Sequence, residues 1–216
     1  MKQKPPARSG KGDAGAVRII GGRWRGSRLP VADLQGLRPT PDRVRETLFN
    51  WLQPMLPGAR VLDLFAGSGA LGLEALSRGA AEALLVERDP AVAGSLREVA
   101  GQLEGGERAH VVCADALSFL RAPLHGRFDL VFVDPPFSAG LHAQVLALLP
   151  PWLAPDAWLY LEGPHGGAEP DPGQWLAHRQ GSTREVRYAL YRRAVREAAA
   201  TATLATDPDP NGTATE

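Results

Sequence analysis

The stretch from Arg60 to Glu87 limits the possible folds more than any other part of the chain. An apolar run, Arg60 to Ala66, leads straight into Gly67-Ser68-Gly69-Ala70-Leu71-Gly72 and then into a helical pattern that closes near Arg78, with Gly79 as its stop. A second apolar run, Ala83 to Glu87, follows. Strand, tight turn, helix and strand make a crossover unit, and such units lie as parallel strands covered by helices. The pattern recurs. Asp89-Pro90 offers a cap and a first-turn proline for another helix, and Ala109 to Ala114 and Asp129 to Asp134 are two more apolar strands. Ala157 to Glu162 is a fifth, and Trp175 to Thr183 with Glu185 to Ala194 reads as a closing hairpin. The expected architecture is α/β, with a mostly parallel sheet buried on both faces.

The segment before this unit has a different character. Val17 to Ile20 and Ser27 to Val31 are short apolar stretches separated and flanked by Gly21, Gly22 and Gly26, the pattern of a hairpin. Its arginines, Arg18, Arg23, Arg25 and Arg28, would project as a cluster suited to phosphates. Trp24 has two open readings, a stacking surface for a base or packing against the main domain. Thr40, Pro41 and Asp42 suit the start of a helix, on which Val44, Leu48, Trp51, Leu52 and Met55 form an apolar face. Charge follows the same division. The formal net charge is 0, yet residues 1–45 hold 11 Lys/Arg against 3 Asp/Glu (11 − 3 = +8), and the remainder holds 13 against 21. Such asymmetry points to a polyanionic partner at the N-terminal end. The expected organisation is a disordered leader over 1–15, a basic hairpin and helix over 16–57, an α/β domain over 58–195 and a disordered tail over 196–216.

Several function classes drop out. No run of eighteen apolar residues occurs, so no transmembrane helix is expected, and the first twenty residues lack the apolar core of a secretory signal. Cys113 is the single cysteine, which excludes an internal disulfide and fits a reducing cytoplasm. Its apolar neighbours predict a buried structural thiol. The five histidines show no metal-ligand spacing, and no metal is expected.

The glycine motif matches a dinucleotide-binding fingerprint, and Glu87 ends the next strand twenty residues after Gly67, where a carboxylate can take ribose hydroxyls. Asp89 is its rival, though a position before Pro90 makes it a helix cap first. These features serve nicotinamide enzymes and S-adenosylmethionine enzymes alike, because both need the backbone close to the ligand. Two details favour the methyl donor. Asp63 ends the first strand just before Leu64-Phe65-Ala66-Gly67-Ser68-Gly69, where a carboxylate would repel a pyrophosphate. Asp115 follows the third strand, beside Ala116, and can accept from an adenine amine or cap the next helix.

Asp134-Pro135-Pro136-Phe137, at the end of the fourth strand, carries the chemistry. An exocyclic amine of a base is a poor nucleophile, because its lone pair is delocalised into the ring. A carboxylate and a backbone carbonyl that accept both N–H bonds favour pyramidalisation and aim the lone pair at a methyl group. The prolines supply a stiff turn without competing N–H groups, and Phe137 offers a face for a flipped base.

Taken with Arg18-Ile19-Ile20-Gly21-Gly22, Leu37-Arg38-Pro39-Thr40 and Asp42-Arg43-Val44-Arg45-Glu46-Thr47-Leu48-Phe49, these motifs resemble the bacterial 16S rRNA (guanine(966)-N(2))-methyltransferases over roughly residues 17–195. The resemblance implies a Rossmann-like class I S-adenosylmethionine-dependent methyltransferase fold with a seven-stranded sheet and a small N-terminal β-hairpin. It implies guanine as the base, in 16S rRNA within a partly or fully assembled small subunit. By the same resemblance Asp134 and Pro135 hold the amine, Phe137 stacks, and Glu87 and Asp115 hold the cofactor together with the loop from Asp63 to Gly69. The segment from Thr40 to Phe49 would lie over the cofactor pocket, with Arg43 and Arg45 near substrate or the donor's carboxylate. Arg38 and Arg45 join the hairpin arginines and Trp24 as candidate RNA contacts. A cytoplasmic monomer is expected.

Three other readings stand beside this one. A nicotinamide oxidoreductase uses the glycines and Glu87 but leaves Asp134 and the basic N-terminus without a role. A DNA or RNA adenine or cytosine amino-methyltransferase shares the catalytic motif, though the chain has no room for a large target-recognition domain. A non-catalytic rRNA-binding assembly factor would have no need of Asp63, Glu87, Asp115 and Asp134 together.

Overall fold

A computed structural model describes residues 16–30, 42–122, 126–136 and 140–194. The expected leader and tail lie outside these residues. Two short strands, β1 (Ala16–Arg18) and β2 (Arg28–Pro30), pair antiparallel as the expected hairpin. Val17 and Leu29 pair across it and point inward, whereas Arg18 and Arg28 stay exposed. Helix α1 (Asp42–Leu52) follows.

The crossover pattern then runs β3 (Arg60–Asp63), α2 (Ala70–Ser77), β4 (Glu82–Glu87), α3 (Pro90–Gln102), β5 (Ala109–Cys113), α4 (Ala116–Arg121), β6 (Phe128–Val133), α5 (His142–Leu148) and β7 (Leu153–Pro164). The closing hairpin is β8 (Trp175–Ser182) and β9 (Val186–Arg193). These strands form one seven-stranded sheet in the order β5-β4-β3-β6-β7-β9-β8. The first five are parallel, and β9 and β8 are antiparallel to their neighbours. Successive crossovers carry the chain from β3 outward to β5, and the next strand, β6, returns to the other side of β3. Strand order therefore reverses between β3 and β6, and the crevice at the carboxyl ends of these two strands is where such sheets bind ligands.

Helices α2 and α3, with α1 and the hairpin, cover one face of the sheet. Helices α4 and α5 and Trp152 cover the other. On the first face, Phe49 of α1 meets Phe132 of β6 at 6.1 Å, and Trp51 stacks on Tyr188 of β9 at 5.7 Å. Gly72 sets how closely α2 approaches the sheet, since a Cβ there would overlap the Leu85 side chain on β4.

The hairpin is fastened to α2 by its own turn. Glu74 accepts from the N–H groups of Ile20 (2.6 Å) and Gly21 (2.8 Å), and Arg78 Nε donates to it at 2.7 Å. Ser77 receives the Arg23 N–H on its carbonyl oxygen and the Trp24 N–H on Oγ, each at 2.9 Å. Its hydroxyl donates to the Gly21 carbonyl at 2.6 Å. A carbonyl that α2 leaves open at its C-terminus is thus satisfied by the hairpin.

The expectation for Cys113 is corrected: the thiol is exposed. Its apolar sequence neighbours suggested burial, but β5 is an edge strand, and edge position follows from strand order rather than from the local run.

Candidate active site and nucleic-acid face

Four carboxylates occupy the carboxyl ends of four neighbouring strands, in the spatial order Asp115, Glu87, Asp63 and Asp134. Three interstrand steps separate the first from the last, about 14 Å. Each has a distinct local setting. Asp115 is exposed and caps α4, its Oδ1 accepting from the Ser118 N–H at 2.9 Å. Ala116 behind it is buried. Glu87 joins two loops, with Oε2 accepting from the Gly67 N–H at 2.9 Å and Oε1 from the Asp89 N–H at 2.8 Å. Asp89 caps α3 through the Ala91 and Val92 N–H groups, so it is a cap and Glu87 is the carboxylate that meets the glycine loop.

Asp63 is the surprise of the group. It is only 2% exposed, and its Oδ2 accepts from the Gly72 N–H at 3.0 Å, in the first turn of α2. Burial is the main reason its pKa rises from 3.8 to about 7, with the hydrogen bonds from Gly72 and Phe65 opposing and the Glu87 charge adding to the rise. In this structure Asp63 holds the glycine turn from behind rather than facing the crevice. Its charge is therefore a weaker argument against a pyrophosphate than the sequence suggested.

The turn itself is open to a ligand. Phe65, Gly67 and Ser68 are half-buried, whereas Ala66 and Gly69 are buried. Gly67 has φ 51°, a left-handed conformation, and no atom lies within 4 Å of where a Cβ would stand. A ligand can thus press against the backbone there, as the amino-acid and ribose parts of S-adenosylmethionine require, with Glu87 beside the loop to accept from hydroxyls. The residues present fit that cofactor.

Across the crevice, Asp134 is half-buried and Pro135 is buried, immediately after β6. Phe137 lies outside the described residues, as do Thr40 and Arg38. Sequence reasoning missed what stands on the next strand. Phe132 pairs with Tyr160 and Val133 with Leu161, so strand alternation puts Glu162 on the same sheet face as Asp134. The buried Tyr160 hydroxyl donates to Glu162 Oε2 at 2.6 Å. Burial, then the charges of Glu162 and Asp134, hold the Tyr160 pKa well above its ordinary value, so the phenol remains a donor. The Glu162 carbonyl accepts from His142 Nε2 at 2.7 Å, which fixes the proton on that ring nitrogen. Only the pairing of β6 with β7 brings these residues to the motif, and neither forms part of a local pattern.

The candidate RNA contacts divide. Arg18, Arg23, Arg25 and Arg28 are exposed on the hairpin, and Arg43 is exposed on α1. Trp24 is 5% exposed and its indole N–H donates to the Glu104 carbonyl at 3.0 Å, so it is a packing residue and its ring is withdrawn from any base. Arg45 is fully buried, donating to the Arg18 carbonyl (2.9 Å) and Asp42 (2.6 Å). It cannot meet a phosphate at the surface in this arrangement. Its Nε and Nη1 have no hydrogen-bond partner. Spacing could have revealed this, since Arg45 precedes the buried Phe49 by four residues and Leu52 by seven.

Among the described residues no group of His, Cys, Asp or Glu could hold a metal ion, and no helix is long and apolar enough to cross a membrane.

Residues 17–192 match the family described as Conserved hypothetical protein 95. Over 193 residues the chain is 50% identical to Ribosomal RNA small subunit methyltransferase D of Escherichia coli strain K12, covering 88% of this chain and 95% of that protein. The chain belongs to this methyltransferase family. The Haemophilus influenzae member is 45% identical over 181 residues, covering 82% of this chain and 94% of its own. The solved Escherichia coli methyltransferase yhhF superposes with a TM-score of 0.75 at 49% identity, covering 84% of this chain and all of that one. The family's sheet and the crevice between β3 and β6 are thus those of a methyltransferase.

Proposed function

We propose that the protein methylates the exocyclic N2 amine of a guanine in 16S rRNA, using S-adenosyl-L-methionine. The observation that carries this reading is the placement of Asp134-Pro135 across the strand-order reversal from the open glycine turn at Gly67. When bound, the cofactor supplies a methyl group on a positively charged sulfur. The chain's own residues do the rest. Glu87 takes ribose hydroxyls, the backbone from Phe65 to Gly69 admits the amino-acid part, and Asp115 accepts from the adenine amine while still capping α4. Arg45, with two donors unused, is the buried cation suited to a carboxylate.

Asp134 and the Pro135 carbonyl accept the two N–H bonds of the guanine amine and turn its lone pair towards the methyl. Pro135 has no N–H to compete for the same acceptors. Alignment and exclusion of water account for most of the acceleration. A strong base is unnecessary, because a methylated amine loses its proton readily. Phe137 supplies the stacking face for the flipped base. The hairpin arginines Arg18, Arg23, Arg25 and Arg28 grip phosphates, with Arg38 joining them from the segment before α1. The protein acts as a cytoplasmic monomer on a partly or fully assembled small subunit.

The test is to incubate the protein with tritiated S-adenosylmethionine and small subunits lacking their base methylations, then digest the RNA to nucleosides. Label in N2-methylguanosine at one site is expected. Label in another methylated base would overturn the choice of guanine, and no label despite cofactor binding would favour a non-catalytic assembly role.

A further inference from the structure

A second open space lies away from the crevice, where the C-terminal half of α1 faces the starts of β7 and β8 and the end of β9. It is a groove of about 620 Å³ lined in part by Asn50, Trp51, Trp158, His178, Arg179 and Arg192. Trp158 pairs with Leu130, four residues before Asp134, so the groove begins roughly 13 Å from the catalytic motif along the strand direction.

A β-bulge builds its cationic wall. On β8, Ala177 pairs with Tyr191 but Arg179 pairs with Leu190, so two steps on β8 answer one on β9. Without the extra residue Arg179 would stand opposite Ala189, whose side chain belongs to the other face of the sheet. With it, Arg179 stands opposite Leu190, on the face that α1 and the hairpin share. His178 turns to the same face, its ring edge-on to Trp158 at 5.0 Å. Arg192, cross-strand from Trp158, sits over the indole at 5.8 Å. Bulges on edge strands serve to re-aim side chains in this way.

Arg179 and Arg192 are both exposed, and no carboxylate pairs with either among the described residues. Nor does any acid line the groove among those residues, although residues 46–216 carry 21 acidic against 13 basic side chains. Trp51 and Trp158 are half-buried, each leaving part of an indole open. Cations without partners beside open indoles are the elements that bind single-stranded nucleic acid, through phosphates and stacked bases.

We propose that this groove is a second RNA site, holding a single-stranded stretch of the substrate with phosphates on Arg179 and Arg192 and a base against an indole. The proposal rests on the rRNA-methylation reading. It extends the RNA path along one sheet face, from the hairpin past α1 to the bulge.

The test compares wild type with Arg179→Glu/Arg192→Glu and with Arg179→Lys/Arg192→Lys, measuring binding of a 16S rRNA transcript across a salt series. For the Glu pair we expect affinity to fall on the order of tenfold or more at low salt, and the log–log salt slope to become shallower by about two. Cofactor affinity and melting temperature should match wild type, and the Lys pair should keep the wild-type slope. An unchanged slope and affinity in the Glu pair, with wild type binding normally, would overturn the groove. So would normal transcript binding with a loss of activity confined to assembled subunits, which would assign the groove to a ribosomal protein. Failure of wild type itself to bind or methylate the RNA would instead overturn the underlying function.

Discussion

The carboxylate of Glu74, wholly buried on α2, accepts a 2.8 Å hydrogen bond from the backbone N–H of Gly21 in the arginine hairpin. The same carboxylate serves the Ile20 N–H and Arg78, so one side chain joins the RNA-facing extension to the helix that follows the cofactor turn. Glu74→Ala would leave two backbone donors and a largely buried guanidinium unanswered. A loss of about 3–5 kcal/mol is expected, the range for breaking a buried pair from one side. Glu74→Gln, which keeps an acceptor for one donor, should cost less. Denaturant melts of both variants check this, and equal stability for wild type and the alanine variant would show that the hairpin docks by apolar contact alone.

Asp134 stands at the carboxyl end of β6 and outside the cofactor turn. Asp134→Ala should therefore keep cofactor affinity within about twofold while turnover falls on the order of 100-fold or more, the scale of lost alignment. Calorimetric titration with S-adenosylmethionine and single-turnover methylation on the same preparation separate the two quantities. Parallel loss of both would place Asp134 at the cofactor instead.

How much of this was legible before the structure depends on range. The glycine turn, its strand and Glu87 form a contiguous pattern, and the turn chemistry of each glycine follows from its place between strand and helix. Asp89 and Asp115 were readable as caps because capping is a three-residue interaction. Glu74 gave no signal, since an acid inside a helix ordinarily faces water and its donors lie 53 and 54 residues away. Tyr160 and Glu162 meet Asp134 only through the register of β6 with β7. The bulge at His178 inverts the facing that simple alternation gives Arg179. Trp24 stayed undecided because its partner, the Glu104 carbonyl, is 80 residues distant.

Trp24 and the arginines around it should separate cleanly. Trp24→Ala removes a large buried ring and the partner of the Glu104 carbonyl, so about 3–5 kcal/mol of stability should go. Arg25→Glu/Arg28→Glu changes exposed positions and should leave stability within about 0.5 kcal/mol. It should nevertheless weaken RNA binding and flatten its salt dependence by about two. Thermal melts and salt-series binding decide it, and RNA affinity unaffected by the double reversal would make the hairpin structural.

The buried Tyr160 hydroxyl is a donor to a buried carboxylate, and Tyr160→Phe removes it without changing the ring. A loss of about 1–3 kcal/mol is expected, the cost of leaving such an acceptor short of a partner. Because Glu162 shares a face with Asp134, turnover should fall more than cofactor affinity. A variant as stable as wild type would show that Glu162 does not depend on the phenol.

Asp63 makes stability depend on pH in a direction opposite to that of a salt-bridged carboxylate. Its pKa is about 7 in the folded chain against 3.8 ordinarily, chiefly because burial penalises the charge. Below pH 3.8 both states hold the proton and there is no penalty. As pH rises towards 7 the unfolded chain releases its proton while the folded chain keeps it, so folding loses ground throughout that window. Above it the penalty is constant, on the order of a few kcal/mol. Asp63→Asn cannot ionise, and its amide oxygen can still accept from the Gly72 N–H. Relative to wild type, the variant should therefore gain stability progressively as pH is raised from 4 to 8, by about 2–4 kcal/mol at the upper end. Urea melts at intervals across that range measure the difference directly. A difference that stays flat with pH would mean the Asp63 carboxylate is charged throughout, and that the glycine turn is held by an ion rather than by a neutral acid.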